Sequence, residues 1–112
     1  TELPCAFVDL DAFDANVRAM AQTVAGTRLT IRVATKSIRV PELIRRVLAF
    51  GGPYSGLMCY SAQEAKFLAG MGFDDFLIAY PTRSPRDLEA LRSVHEGGKI
   101  ISLVVDDERH LN

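Results

Sequence analysis

Apolar positions along the chain fall into two alternating patterns. Short, nearly continuous runs rich in aliphatic and aromatic residues predict strands at Cys5–Asp9, Thr30–Thr35, Gly56–Tyr60, Phe76–Tyr80 and Ile100–Val105. Between them the apolar residues recur at helical spacing. Phe13, Val17, Met20 and Val24 make one such face, capped by Asp11 and stopped by Gly26. Leu43, Ile44, Val47 and Leu48 make a second, with Pro41 in its first turn and Gly51, Gly52 and Pro53 ending it. Ser61 and Glu64 form a capping box for a third helix running to about Gly72. Ser84, Pro85 and Asp87 start a fourth, which Gly97 and Gly98 close, and Asp106 reads as the cap of a further helix left unfinished at Asn112.

Strands separated by helices, in near-continuous apolar runs, predict a parallel sheet covered by helices. The strands recur about every 20–25 residues, the period of a (β/α) repeat. Two α/β architectures carry that period. One is a small open sandwich of flavodoxin type; the other is the first half of a (β/α)8 TIM barrel, which typically needs about 250 residues. A nucleotide-binding sandwich should carry glycine in its first βα turn, and the turn after Thr35 (KSIRVPE) has none. The chemistry of the strand ends has to separate the two.

Composition narrows the function classes. With 13 Lys+Arg against 14 Asp+Glu in 112 residues, the net charge is -1, which gives no cationic face for nucleic acid or an anionic membrane. No apolar run approaches the roughly 20 residues of a membrane-spanning helix. Cys5 and Cys59 lie far apart without metal-ligand spacing, and read as reduced, buried residues of a cytoplasmic protein. His95 and His110 are scattered, so no metal site is predicted. Thr1 stands where a start Met would, no signal peptide follows, and the ends read as trimmed.

Three lysines occur, and one is placed unusually. Lys66 belongs to a solvated helix face, and Lys99 precedes a strand, on the side where barrels build stability. Lys36 ends a strand, at the carboxyl edge where α/β folds hold ligands. Strand alternation puts Arg32, Ala34 and Lys36 on one face and Ile31, Val33 and Thr35 on the other, packed under helices. A partly desolvated amine near a second cation has a lowered pKa, as an imine-forming nucleophile requires. The plainer reading of Lys36 is a strand-end lysine reaching solvent, and of Arg32 an interior arginine paired with an acid.

The segment Arg32-Val33-Ala34-Thr35-Lys36-Ser37-Ile38-Arg39, after Phe7-Val8-Asp9-Leu10-Asp11, resembles the alanine-racemase-like (fold-type III) pyridoxal-phosphate enzymes. The nearest group is that of D-threonine aldolase, D-serine dehydratase and the amino acid deaminase/aldolase proteins. Arg32, Lys36 and Arg39 match its Arg-x-His-x-Lys-Thr-His-Lys segment, while Ala34, Ser37 and Ile38 depart from it. The stretches Gly56–Ser61 with Glu64-Ala65, Gly72–Asp75 and Ile78–Pro81 extend the resemblance over nearly the whole chain.

The resemblance implies a partial pyridoxal-phosphate-binding barrel domain over residues 1–112, truncated at its carboxyl end and without the family's second, mostly β domain. It implies Lys36 as the residue that forms the internal aldimine, with Arg32 and Tyr80 lining the cofactor cavity. Aldol cleavage, deamination or, less readily, racemisation of a D-amino acid would follow through a Cα carbanion, in a homodimer when full-length. Phosphate-binding residues would lie in later strand loops, so the 112 residues alone would be inactive and would self-associate through raw sheet edges. The alternatives are a non-catalytic pyridoxal-phosphate-binding homeostasis protein on the same barrel and a cofactor-free α/β interaction module.

Overall fold

A computed structural model of the chain describes residues 2–111. Its elements run α1 (Leu10–Gln22), β1 (Ile31–Ala34), α2 (Pro41–Phe50), β2 (Tyr54–Cys59), α3 (Ala62–Gly70), β3 (Phe76–Ile78), α4 (Pro85–Glu96) and β4 (Ile101–Leu103), followed by a 3-10 turn at Glu108–His110. The four strands are all parallel and pair in sequence order, β1-β2-β3-β4. Right-handed crossovers between sequential neighbours put every connecting helix on the same side of a sheet. A flavodoxin-like sandwich reverses its strand order to gain helices on both faces, and this order never reverses. The architecture is that of consecutive units of a (β/α) barrel.

Burial follows from that one-sided cover. Val33, Leu57, Cys59, Phe76 and Ile78 face the helices and are buried, packed with Ile44, Val47, Ala65, Leu68, Leu91 and Val94. The alternate residues Ala34, Met58 and Leu77 lie side by side in register on the open face and are half-buried. Thr35 is the one buried polar residue of the described chain, its hydroxyl donating to the Met58 carbonyl at 3.3 Å.

Local chemistry explains the helix starts. Pro41 occupies the first turn of α2, where its missing N–H costs nothing. The Ser61 hydroxyl accepts from the Glu64 N–H at 3.2 Å, and the Glu64 carboxylate reaches back to the Tyr60 N–H at 2.9 Å, a reciprocal cap. Asp9, not Asp11, caps α1: its carboxylate accepts from the N–H groups of Asp11 and Ala12, both at 3.0 Å. At α4 the Ser84 side chain makes no capping bond. The Thr82 hydroxyl instead donates to Asp87 at 2.8 Å and accepts from the Ser84 N–H.

Three further expectations are corrected. Cys5–Asp9 is not a strand: Phe7 is 90% exposed, and no described strand lies beside the segment to supply ladder hydrogen bonds. Cys5 is consequently exposed, and only Cys59 is buried. Asp106 caps no helix; Asp107 caps the 3-10 turn, accepting from the Arg109 N–H at 2.8 Å. Arg45 and Arg46 on α2 are both exposed, and each is tied down. Arg46 makes a two-pronged pair with Asp14, both contacts at 2.6 Å, and Arg45 donates to the Met71 carbonyl at 2.6 Å while lying over the Phe73 ring.

The sheet has one irregularity with a clear cause. Register passes from Ile31↔Tyr54 to Val33↔Leu57, so β2 carries one extra residue there. Gly56 absorbs it with a φ of 74. A Cβ at that position would lie 2.8 Å from the Asp75 carbonyl oxygen and collide with the Arg32 guanidinium. Gly56→Ala is therefore expected to destabilise the fold by about 2 kcal/mol or more, from backbone strain and steric conflict together. Ser61→Ala, which removes one cap, should cost about 1 kcal/mol. Urea midpoints for the two variants check both, and an unchanged midpoint for Gly56→Ala would contradict the bulge's dependence on glycine.

Candidate functional site

The carboxyl edge of the sheet gathers the chemistry. Beyond Ala34 the chain turns back on itself: the N–H groups of Ser37 and Ile38 both donate to the Ala34 carbonyl, at 3.0 and 3.4 Å. Lys36 sits at the crown of that turn and is exposed. Among the described residues no carboxylate lies within ion-pair distance of its Nζ, so the amine is unpaired. What fixes the turn is Thr35. Its N–H donates to the Met58 carbonyl at 3.0 Å and its hydroxyl to the same oxygen, so the last rung between β1 and β2 lies immediately before the lysine.

Arg32 is placed otherwise. It shares the open face with Ala34, but its guanidinium turns toward the amino edge, donating to the Asp75 carboxylate at 2.8 Å and to the Asp75 carbonyl at 2.9 Å. Of the two readings of this residue, the ion pair is the one realised, and Arg32 does not serve as a second cation beside Lys36. Four positions of chain, about 13 Å at strand rise, separate the two residues in any case. Strand geometry alone gave the shared face; the direction of a long flexible side chain depends on where its acid lies.

Tyr80 falls beyond the end of β3, which stops at Ile78, two residues short of the predicted boundary. Its ring meets that of Tyr60 edge-to-face, centroids 5.5 Å apart, and both rings are about half exposed. The pair closes a cavity of about 180 Å³ at the carboxyl ends of β2 and β3, with Ser61, Pro81 and Thr82 on its walls. No hydrogen bond joins Tyr80 to Lys36 among the described residues.

The arrangement offers one reactive group: an unpaired primary amine at a strand's carboxyl end, above an open face floored by Ala34, Met58 and Leu77. A free amine there can attack a carbonyl carbon and afterwards exchange protons. Thr35 and Tyr60 complete the setting and were missed as site residues. Both were visible in the sequence, one as a polar residue on a helix-facing strand position and the other as an aromatic at a strand end. Cys59 is not a competing nucleophile, because burial pushes its thiol up to about 12, with the Glu64 carboxylate adding to the rise and the Thr35 hydroxyl opposing it.

Parallel strands in sequence order with helices on one side define a portion of a (β/α) barrel, and Lys36 stands at its carboxyl edge. The comparisons give the particular relatives. The chain is 26% identical over 110 residues to a 3-hydroxy-D-aspartate aldolase from Paracoccus denitrificans, covering 98% of the chain and 28% of that protein. It is 30% identical over 111 residues to a D-threonine aldolase from Arthrobacter sp, covering 99% of the chain and 28% of that protein. Its fold superposes on the crystal structure of the D-threonine aldolase from Filomicrobium marinum with a TM-score of 0.87 at 28% identity, over 99% of the chain and 29% of that enzyme. No protein-family model matches. The chain is thus similar over nearly its whole length to two D-amino-acid aldolases, and the expected resemblance to that group is borne out. It spans little more than a quarter of the length of the curated relatives it matches. No helix among the described residues is long and apolar enough to cross a membrane.

The two thiols give a direct check on this edge. In the native protein at pH 8 a thiol reagent is expected to modify Cys5 quickly and Cys59 only after unfolding; prompt titration of both would contradict the burial of β2. The raised Cys59 pKa also sets a sign. Above the ordinary thiol value of 9.0 the unfolded chain loses a proton that the folded chain keeps up to about 12. Stability held below pH 9 therefore falls as pH rises through that window, and Cys59→Val should remove this part of the slope.

Proposed function

We propose that this chain supplies the lysine-bearing portion of a pyridoxal-phosphate-dependent enzyme acting on a D-amino acid with a 3-hydroxyl group. The observation that carries the reading is the unpaired Lys36 amine at the carboxyl end of β1. The aldolase relatives support the substrate class and the resemblance of the Arg32–Arg39 segment supports the cofactor.

The residues present fit attachment of the cofactor's ring. Among the described residues Lys36 provides the only lysine amine at this edge, since Lys66 lies within α3 and Lys99 precedes β4. Ala34 leaves the floor beside it low, and the Tyr60–Tyr80 pair provides an aromatic wall further along the edge. When bound, the conjugated ring stabilises negative charge developing at the substrate Cα, whether a proton or a Cα–Cβ bond is lost.

The chain's own residues carry the remaining tasks. Lys36 Nζ would hold the cofactor and, as a free amine, would take or return a proton on the face from which β1 presents it. Thr35 positions that amine through its two bonds to the Met58 carbonyl. Arg32 serves the same edge from below, bracing β1 against the start of β3 through Asp75. Phosphate donors in barrels of this kind come from later strand loops. The 112 residues alone therefore hold the cofactor weakly and turn over no substrate.

The test is borohydride reduction after incubation with pyridoxal phosphate, followed by peptide mass mapping. Label confined to Lys36, with Lys66 and Lys99 as internal controls, is the expected result. Label spread evenly over the three lysines, or none at Lys36, would overturn the reading. Aldol cleavage of D-threonine by the protein carrying the rest of its barrel should fall about 100-fold or more in Lys36→Ala.

A further inference from the structure

Between the first turns of α2 and α3, on the helix side of the carboxyl edge, lies a cavity of about 410 Å³. Ligand cavities typically measure about 300–1,000 Å³. Ile38, Pro41, Ile44, Phe67 and Leu68 give it an apolar lining. Two charged side chains also line it, Arg39 and Glu64. Lys36 does not.

The two charges are opposite, share one cavity and are not paired with each other. Neither makes an ion pair with any described residue. Each is held instead by a single backbone bond: Arg39 Nε donates to the Lys36 carbonyl at 3.4 Å, and Glu64 Oε2 accepts from the Tyr60 N–H at 2.9 Å. The two terminal nitrogens of Arg39 and the second carboxylate oxygen of Glu64 remain available. A guanidinium with both terminal nitrogens free suits a carboxylate bound by two parallel hydrogen bonds. A carboxylate oxygen suits an ammonium group. The apolar lining they share suits an aliphatic side chain.

We infer that this cavity is a binding site for an α-amino acid zwitterion with an aliphatic side chain, its carboxylate on Arg39, its ammonium on Glu64 and its side chain on Ile44 and Leu68. The site is distinct from the Lys36 amine and stands whether or not that amine carries a cofactor. The two are nonetheless connected, because the same Arg39 that meets the ligand carboxylate is bonded to the Lys36 carbonyl. Occupancy therefore engages the turn that presents the lysine.

NMR titration of the protein with valine tests this, with isovalerate and isobutylamine as probes that each lack one of the two charges. Saturable shifts of the Ile38, Ile44 and Leu68 methyls are expected with valine, and at least about 10-fold weaker binding of either probe. Arg39→Gln and Glu64→Gln should each weaken valine about 10-fold, while Lys36→Ala leaves it unchanged. Glu64→Gln keeps an oxygen for the Tyr60 N–H, so the start of α3 survives the change. No saturable shift, isovalerate binding as tightly as valine, or valine binding that persists in both glutamine variants would overturn the inference. Loss of binding only in Lys36→Ala would also overturn it, by moving the ligand to the lysine. Borohydride labelling of Lys36 reads the proposed function separately in the same variants.

Discussion

Everything in this fold depends on a parallel sheet covered on one face only. Leu57 and Phe76 are fully buried, directly opposed in register on β2 and β3, and packed beneath the helices. Their burial fixes which residues face the helices, because a slip of one position would turn every side chain of a strand over. Once that seam is set, the alternate residues have no choice but the open face. Ala34, Met58 and Leu77 form its floor, and Lys36 emerges at its carboxyl end. The reactive amine is thus placed by apolar packing several residues away, with Thr35 as the last link.

Charge plays the second part, and it works at both edges of the sheet. At the amino edge Arg32 and Asp75 join β1 to the start of β3 across the glycine bulge of β2. Both partners are about a third exposed, so the pair's worth lies more in fixing direction than in net stability. That commitment leaves Lys36 as the unpaired cation at the end of β1. At the carboxyl edge, Arg39 and Glu64 are tied to backbone atoms rather than to each other. One edge is closed by its ion pair and the other keeps its charges open to a ligand.

The helix faces, the strand spacing and the capping box were legible because each is a local pattern. Ser61 and Glu64 stand three residues apart, and the positions of Ile44 and Val47 repeat on one helix face. Lys36 was legible because strand ends matter in α/β folds. What could not be read depended on distant partners. Arg32 finds Asp75 43 positions away and Arg46 finds Asp14 32 positions away. Cys5–Asp9 has the composition of a strand, yet a strand exists only beside another, and none lies next to it here. The choice between sandwich and barrel likewise needed the strand order, which spacing alone does not encode.

Helix α1 has a consequence for motion. Its attachment to the body consists of buried Val17, partly buried Phe13, the Tyr54 hydroxyl on the Val17 carbonyl at 2.6 Å, and the Asp14–Arg46 pair. The strands by contrast are held by both ladder bonds and the main core. The molecule therefore has two cooperative units of unequal depth. Amide protons of α1 exchange through a local opening that leaves the sheet intact, while those of β2 and β3 wait for the whole chain to unfold. The Asp14–Arg46 pair is one of a few ties of the outer unit, whereas the inner unit's Arg32–Asp75 pair is backed by ladder bonds and the main core, so ionic strength shifts the gap between their exchange rates.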